Sequence, residues 1–139
     1  MARRAKLTLN ATAQATDLPE TLKHTRFRSQ LEIAFALQLE AHGIRWFYEP
    51  ERLCRYLVDF YLPERRLWVE VKGRLSSRDH ALLRDVAAFL AAERKQRLFM
   101  YTARQAYAVR EDGFSPMNHA AFWQIVLEGG KRDLLKAAD

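Results

Sequence analysis

Two short segments carry the residues best suited to chemistry: Val58-Asp59-Phe60 and Val69-Glu70-Val71-Lys72-Gly73. Both have the alternating pattern of strands. The intervening Pro63-Glu64-Arg65-Arg66 is a turn short enough to make them antiparallel neighbours. Glu70 and Lys72, two residues apart, share a face. Directly opposed residues on such strands have Cβ atoms roughly 5 Å apart, close enough for Asp59 and Glu70 to share a divalent cation. Without a cation the two carboxylates repel, and one is driven to hold its proton. A magnesium or manganese ion removes that repulsion and promotes attack of water on a phosphodiester. Lys72 is placed to stabilise charge developing on the phosphate or to orient the water. A plainer reading also fits: Asp59 as a strand-end acid, with Glu70 and Lys72 an exposed ion pair worth about 0.5 kcal/mol. Spacing alone leaves both open.

The elements that must position these residues follow from periodicity. Ser29 caps a first helix over about Gln30 to His42, closed by Gly43 at the position that favours glycine. Arg45 to Pro50 reads as a first strand and Arg55 to Leu62 as a second. In the second, Tyr56, Val58, Phe60 and Leu62 lie on one face, and Leu57, Asp59 and Tyr61 on the other. Leu67 to Lys72 is a third strand. After Gly73, Ser76 or Ser77 caps a second helix whose Leu82, Leu83, Val86, Phe89 and Leu90 form an apolar stripe to about Lys95. Arg97 to Thr102 is a fourth strand, with a short fifth possible at Tyr107 to Val109, and Asp112-Gly113 is a turn. Ser115-Pro116 predicts the opening of a third helix running to Gly129. The expected class is α/β, in the order α-β-β-β-α-β-α, with a central mixed sheet flanked by helices.

The 139 residues suit one domain, with 26–139 as its body and 1–25 as a flexible basic arm. Lys and Arg number 23 against 17 Asp and Glu, a net charge of +6 that suits a polyanionic partner. Arg3, Arg4 and Lys6 in the arm could grip phosphates or be an ordinary solvated terminus. One cysteine, Cys54, and four scattered histidines exclude an internal disulfide and give no zinc pattern, so a metal would be held by oxygen ligands. No apolar stretch has the length of a signal peptide or a membrane span, and a cytoplasmic location is expected.

Four segments in order, Phe27-Arg-Ser-Gln-Leu-Glu32, Trp46-Phe-Tyr-Glu49, Val58-Asp-Phe-Tyr-Leu-Pro63 and Trp68-Val-Glu-Val-Lys-Gly73, resemble the restriction-endonuclease-like nuclease superfamily. That superfamily places a glutamate on a helix, an Asp on one strand and Glu-x-Lys on the next. More narrowly, the chain is similar to phage-type endonuclease I, which resolves four-way DNA junctions, over roughly Phe27 to Val126. The resemblance implies a restriction-endonuclease-like core and a Mg²⁺- or Mn²⁺-dependent endodeoxyribonuclease with two ions about 4 Å apart. It implies that Asp59 bridges both ions, that Glu70 and the Val71 carbonyl ligate one, that Glu32 completes the site and that Lys72 meets the water or the scissile phosphate. The implied partner is branched DNA, such as a Holliday junction, met by a homodimer. Linear, nicked or mismatched DNA, or a binding module with an inactive site, are the alternatives. The segment from Pro50 to Tyr56 is shorter than the bridge that exchanges strands between subunits in that family, which argues against a strand-swapped dimer. Val58 stands where the pattern has proline.

Glu32 has a local explanation, since Ser29-x-x-Glu32 is a capping box. Arg74, Arg78, His80 and Arg84, on or before the opening turns of the second helix, suit phosphate contacts or a solvated face. Glu49 reads as an outer acid of the site or an edge-strand surface residue. Trp46, Trp68, Phe122 and Trp123 fall in apolar patterns and are expected in the core. Cys54 is expected to be inert.

Overall fold

The structure is a computed structural model describing residues 20–138, with the side chains of Thr21 and of 130–138 left out of the description. The chain divides into two compact units, Met1–Ile44 and Arg45–Asp139. Of the expected arm, Arg3, Arg4 and Lys6 lie outside the described residues. In the same stretch a helical turn, α1 (Glu20–Lys23), is followed by α2 (Gln30–Ala41). The α2 boundaries follow from its caps. Ser29 Oγ accepts the Glu32 amide, His42 is the C-cap, and Gly43 adopts φ 66.

The second unit is built on a mixed six-stranded sheet. Its elements are β1 (Phe47–Tyr48), β2 (Arg52–Leu53), β3 (Tyr56–Leu57), β4 (Phe60–Leu62), β5 (Leu67–Val71), α3 (Ser77–Phe89), β6 (Arg97–Tyr101), β7 (Ala106–Arg110), β8 (Gly113–Met117) and α4 (His119–Ala138). The sheet order is β1-β4-β5-β6-β7-β8, and β2 and β3 form a separate ribbon. Only β5 and β6 run parallel, joined through α3 and a π-helical turn over Leu90–Arg94; the other neighbours are antiparallel. A parallel pair needs such a crossover, and the helix covers the sheet face beneath it.

Successive residues of β6 divide the core. Leu98 and Met100 join Trp68, Leu83, Val86 and Leu90 on the α3 side. On the other face, Phe99 meets Phe122 edge-on at 5.6 Å and Tyr101 meets Trp123 of α4 at 6.1 Å. Strand β5 is buried along its whole length, as a central strand covered on both faces must be. Trp46, Trp68, Phe122 and Trp123 are all buried, as their apolar patterns predict.

Three expectations need correction. Arg55 to Leu62 is not one strand, because a bend at Val58-Asp59 separates β3 from β4. The alternation slips there, so Tyr56 and Val58 pack with Trp68 in the α3-side cluster, away from Phe60. Ser115-Pro116 does not open a helix. It lies in β8, where Pro116 is tolerated because β8 is the sheet's edge and needs no outward amide bond. The helix starts instead behind Asn118, whose Oδ1 accepts the Ala121 amide at 2.8 Å, and runs past Gly129 to Ala138. The order α-β-β-β-α-β-α therefore lacks the α1 turn, the β2–β3 ribbon and the β7–β8 hairpin, although the α/β class and the flanked mixed sheet are as expected.

Candidate carboxylate site

The β4–β5 hairpin fixes the register of the site. Phe60 stands opposite Val69, so the next pair outward is Asp59 and Glu70. Both carboxylates are withdrawn from solvent, Asp59 at 5 % exposure and Glu70 at 2 %. The bend at Asp59 frees its backbone amide from the ladder and turns it to Glu70 Oε1, at 3.2 Å. In return the Val71 amide donates to Asp59 Oδ2 at 2.7 Å. Each carboxylate is thus held by the backbone of the opposite strand, and the Val71 backbone is brought against the pair. Burial of this kind is tolerated only when the oxygens are hydrogen-bonded.

A third group completes the lattice of bonds. The Tyr56 hydroxyl donates to Glu70 Oε2 at 2.5 Å. Its position depends on the bend at Asp59, and a strict strand period places it on the wrong face, which is why alternation alone misses it. Burial first, and then the charge of Glu70, push the Tyr56 hydroxyl far above its usual ionisation range, so it stays a donor. Glu70 itself is raised to about 7, mainly by burial, against the opposing pull of its bonds to Tyr56 and Asp59 and of the Lys72 charge.

Lys72 extends from the same face, one step beyond the end of β5. Its Nζ lies 3.9 Å from Glu70 Oε2 and 3.8 Å from Asp79 Oδ2 in the first turn of α3. Asp79 is in turn fixed by its own amide, which donates to the Ser76 N-cap hydroxyl at 3.1 Å. Lys72 is therefore suspended between two acids with about a third of its side chain exposed, a partner that the strand pattern alone does not reveal. The structure brings Tyr56, Asp59, Glu70, the Val71 backbone, Lys72 and Asp79 together.

Glu32 belongs to the first unit. At 3 % exposure it forms the capping box, with Oε1 accepting the Ser29 amide at 3.1 Å and the Arg28 amide at 2.5 Å. Glu49 donates its amide to the Asp59 carbonyl at 2.7 Å from a left-handed backbone, φ 48, which places it beside the bend. Arg74, Arg78 and His80 are exposed around the start of α3. Arg84 differs from them, because its Nε donates to the Glu111 carbonyl at 2.9 Å and ties α3 to the β7–β8 turn. His119 is half-buried, stacked on Tyr101 at 4.4 Å, with Nε2 bonded to the Thr102 carbonyl. Cys54 is an exposed thiol in the tight β2–β3 turn. Among the described residues no three His, Cys, Asp or Glu side chains gather into a preformed metal cluster. None of the helices there is long and apolar enough to cross a membrane.

Asp59 and Glu70 suit a hard divalent cation as a donor set. All their ligating atoms are carboxylate oxygens, and the two named hydrogen bonds to Glu70 take only one of the two lone pairs on each of its oxygens. Comparison of the chain with known protein families, with curated proteins and with solved structures found no match.

Proposed function

We propose that the chain is a Mg²⁺- or Mn²⁺-dependent endodeoxyribonuclease, selective for branched DNA such as four-way junctions. One observation carries the reading: two opposed carboxylates, Asp59 and Glu70, are buried and braced by backbone amides, with a lysine beside them. A fold that wanted only stability would gain nothing from burying two acids face to face, since unneutralised like charges cost free energy. Asp59 and Glu70 would hold the cation, with the Val71 carbonyl as a further donor implied by the family resemblance. Such an ion, when bound, neutralises the pair and polarises the phosphodiester.

The chain's own groups do the rest. Tyr56 and the Asp59 amide hold Glu70 in one rotamer, and the Val71 amide does the same for Asp59. That rigidity is what a site needs if its ligands are not to reorganise during reaction. Asp79 draws Lys72 away from a simple ion pair with Glu70, leaving its ammonium to meet a non-bridging phosphate oxygen or to orient water. The net charge of +6 supplies sequence-independent attraction to the phosphate backbone. A four-way junction offers two strands to cut, so a two-fold homodimer matches its symmetry.

Cutting of a four-way junction and of a matched linear duplex, with magnesium and with chelator, tests this directly. The expected result is magnesium-dependent cleavage faster on the junction, with Asp59→Asn slower by more than about 10²-fold while DNA binding persists. No cleavage of either substrate would leave a DNA-binding module, and equal cleavage of both would remove the junction preference. Normal cutting by Asp59→Asn would overturn the site.

A further inference from the structure

The row of side chains that starts at Glu70 does not stop at the carboxylates. Glu70 stands beside Met100 on β6, Met100 opposite Tyr107 on β7, and Tyr107 opposite Pro116 on β8. Phe114, two residues from Pro116, faces the same way. Met100, Tyr107, Phe114 and Leu75 thereby line an open groove of about 510 Å³ that begins at Lys72. Its aromatic groups are ordered: Phe114 lies 4.5 Å from the His80 ring and meets Tyr107 edge-on at 6.2 Å. Gln105 donates to the Tyr107 hydroxyl. The β6–β7 loop is itself fixed, with Thr102 Oγ1 donating to the Gln105 carbonyl at 2.8 Å and accepting its amide at 3.2 Å. Arg74 and Arg104 are exposed on the rim, beside Lys72.

A cationic rim over an aromatic and apolar floor is matched by a ligand that is anionic on one side and flat and apolar on the other. We propose that this groove receives one unstacked nucleotide adjoining the scissile phosphate, its base against Tyr107 and Phe114 and its phosphate at Arg74 and Arg104. This rests on the nuclease reading of the carboxylate site and gives it a substrate class. The volume lies within the range of small-ligand sites, about 300–1,000 Å³. A base inside intact duplex already has both faces stacked and must be extruded at a cost of a few kcal/mol, least where it is unpaired. Single-stranded flanks carry such nucleotides, and base pairs at a branch point open more readily than those inside a continuous duplex. The groove therefore selects DNA with an unpaired nucleotide next to the cut, without reading sequence, because every base has a face to stack.

The test is binding of a five-nucleotide oligodeoxythymidine and of its abasic counterpart to the full chain in chelator, followed by NMR. The thymidine oligomer is expected to bind about tenfold more tightly, with shifts concentrated at Gln105, Tyr107 and Phe114. Tyr107→Leu should abolish that preference. Arg104→Ala, an exposed change that does not touch the floor, should weaken both oligomers alike by a few fold. Equal affinity for the two oligomers, shifts elsewhere on the surface, or displacement by a glutamate-rich peptide at equal concentration would overturn the proposal. The nuclease reading is tested separately by cutting in magnesium. Base-dependent binding here with no cutting there would uphold the groove and remove the nuclease, and cutting without base-dependent binding would do the reverse.

Discussion

Glu70 concentrates the tension of the site in one side chain. Burial lifts its carboxyl to about 7, while the unfolded chain titrates near 4.5. The folded protein thus holds this proton more tightly than the unfolded one, so the contribution of protonated Glu70 is full below about pH 4.5 and is lost as pH rises to about 7. The loss is on the order of 3 kcal/mol. In chelator, the denaturation midpoint should therefore fall from pH 5 to pH 7.5, and Glu70→Gln should flatten that slope. Magnesium should restore stability at the upper end, because a cation favours the ionised form. Tyr56→Phe sharpens the test. Its hydroxyl pulls the Glu70 value down, so its removal should move the acidic limb of any metal-dependent activity to higher pH. An unmoved limb would mean that Tyr56 does not bear on the ionisation of Glu70. Asp59, Glu70 and Lys72 were legible in the sequence because opposed strands and a two-residue spacing determine which side chains meet. Tyr56 and Asp79 were not. One depends on a local bend, the other on where a helix five residues downstream turns back to the strand.

At the scale of elements, legibility followed the strength of local signals. The α2 helix carries a capping box at one end and a left-handed glycine at the other, and its boundaries could be read to within a residue. The β4–β5 hairpin was equally plain from its short turn. Ser115-Pro116 misled because Pro at a helix start and Pro on an edge strand leave the same mark, and only the sheet order separates them. The capping box also sets a test that a single alanine cannot. Glu32→Ala removes the acceptor of the Ser29 and Arg28 amides and should cost about 1 kcal/mol in chemical denaturation. Glu32→Gln keeps an acceptor oxygen in the same place and discards the charge. If Glu32 also serves the metal, Glu32→Gln should keep stability within about 0.5 kcal/mol and still lose cleavage by about 10²-fold. Full activity in the glutamine variant would assign Glu32 to the helix alone.

The molecule as a whole combines two charge scales that should separate in experiment. Close to the sheet, a few fixed groups face one another at hydrogen-bonding distance and are shielded from salt by burial. Over the surface, a net charge of +6 acts through solvent and is screened within about 8 Å at physiological ionic strength. If the chain cuts DNA as proposed, cleavage chemistry belongs to the first scale, and capture of DNA to the second. Arg3, Arg4 and Lys6 cluster near the start of the chain, and in the proposed reading they serve capture. Each phosphate contact they make releases counterions and steepens the fall of affinity with salt by about 0.9 in the log–log slope for duplex DNA. Replacing all three by alanine should reduce that slope by about 2 to 3 and leave the rate of cutting at saturating DNA unchanged. Measured from 50 to 200 mM salt, an unchanged slope would remove these three residues from the DNA interface. A reduced slope accompanied by a slower saturated rate would mean that capture and chemistry are not separate, and that these residues help place the scissile phosphate at the carboxylates.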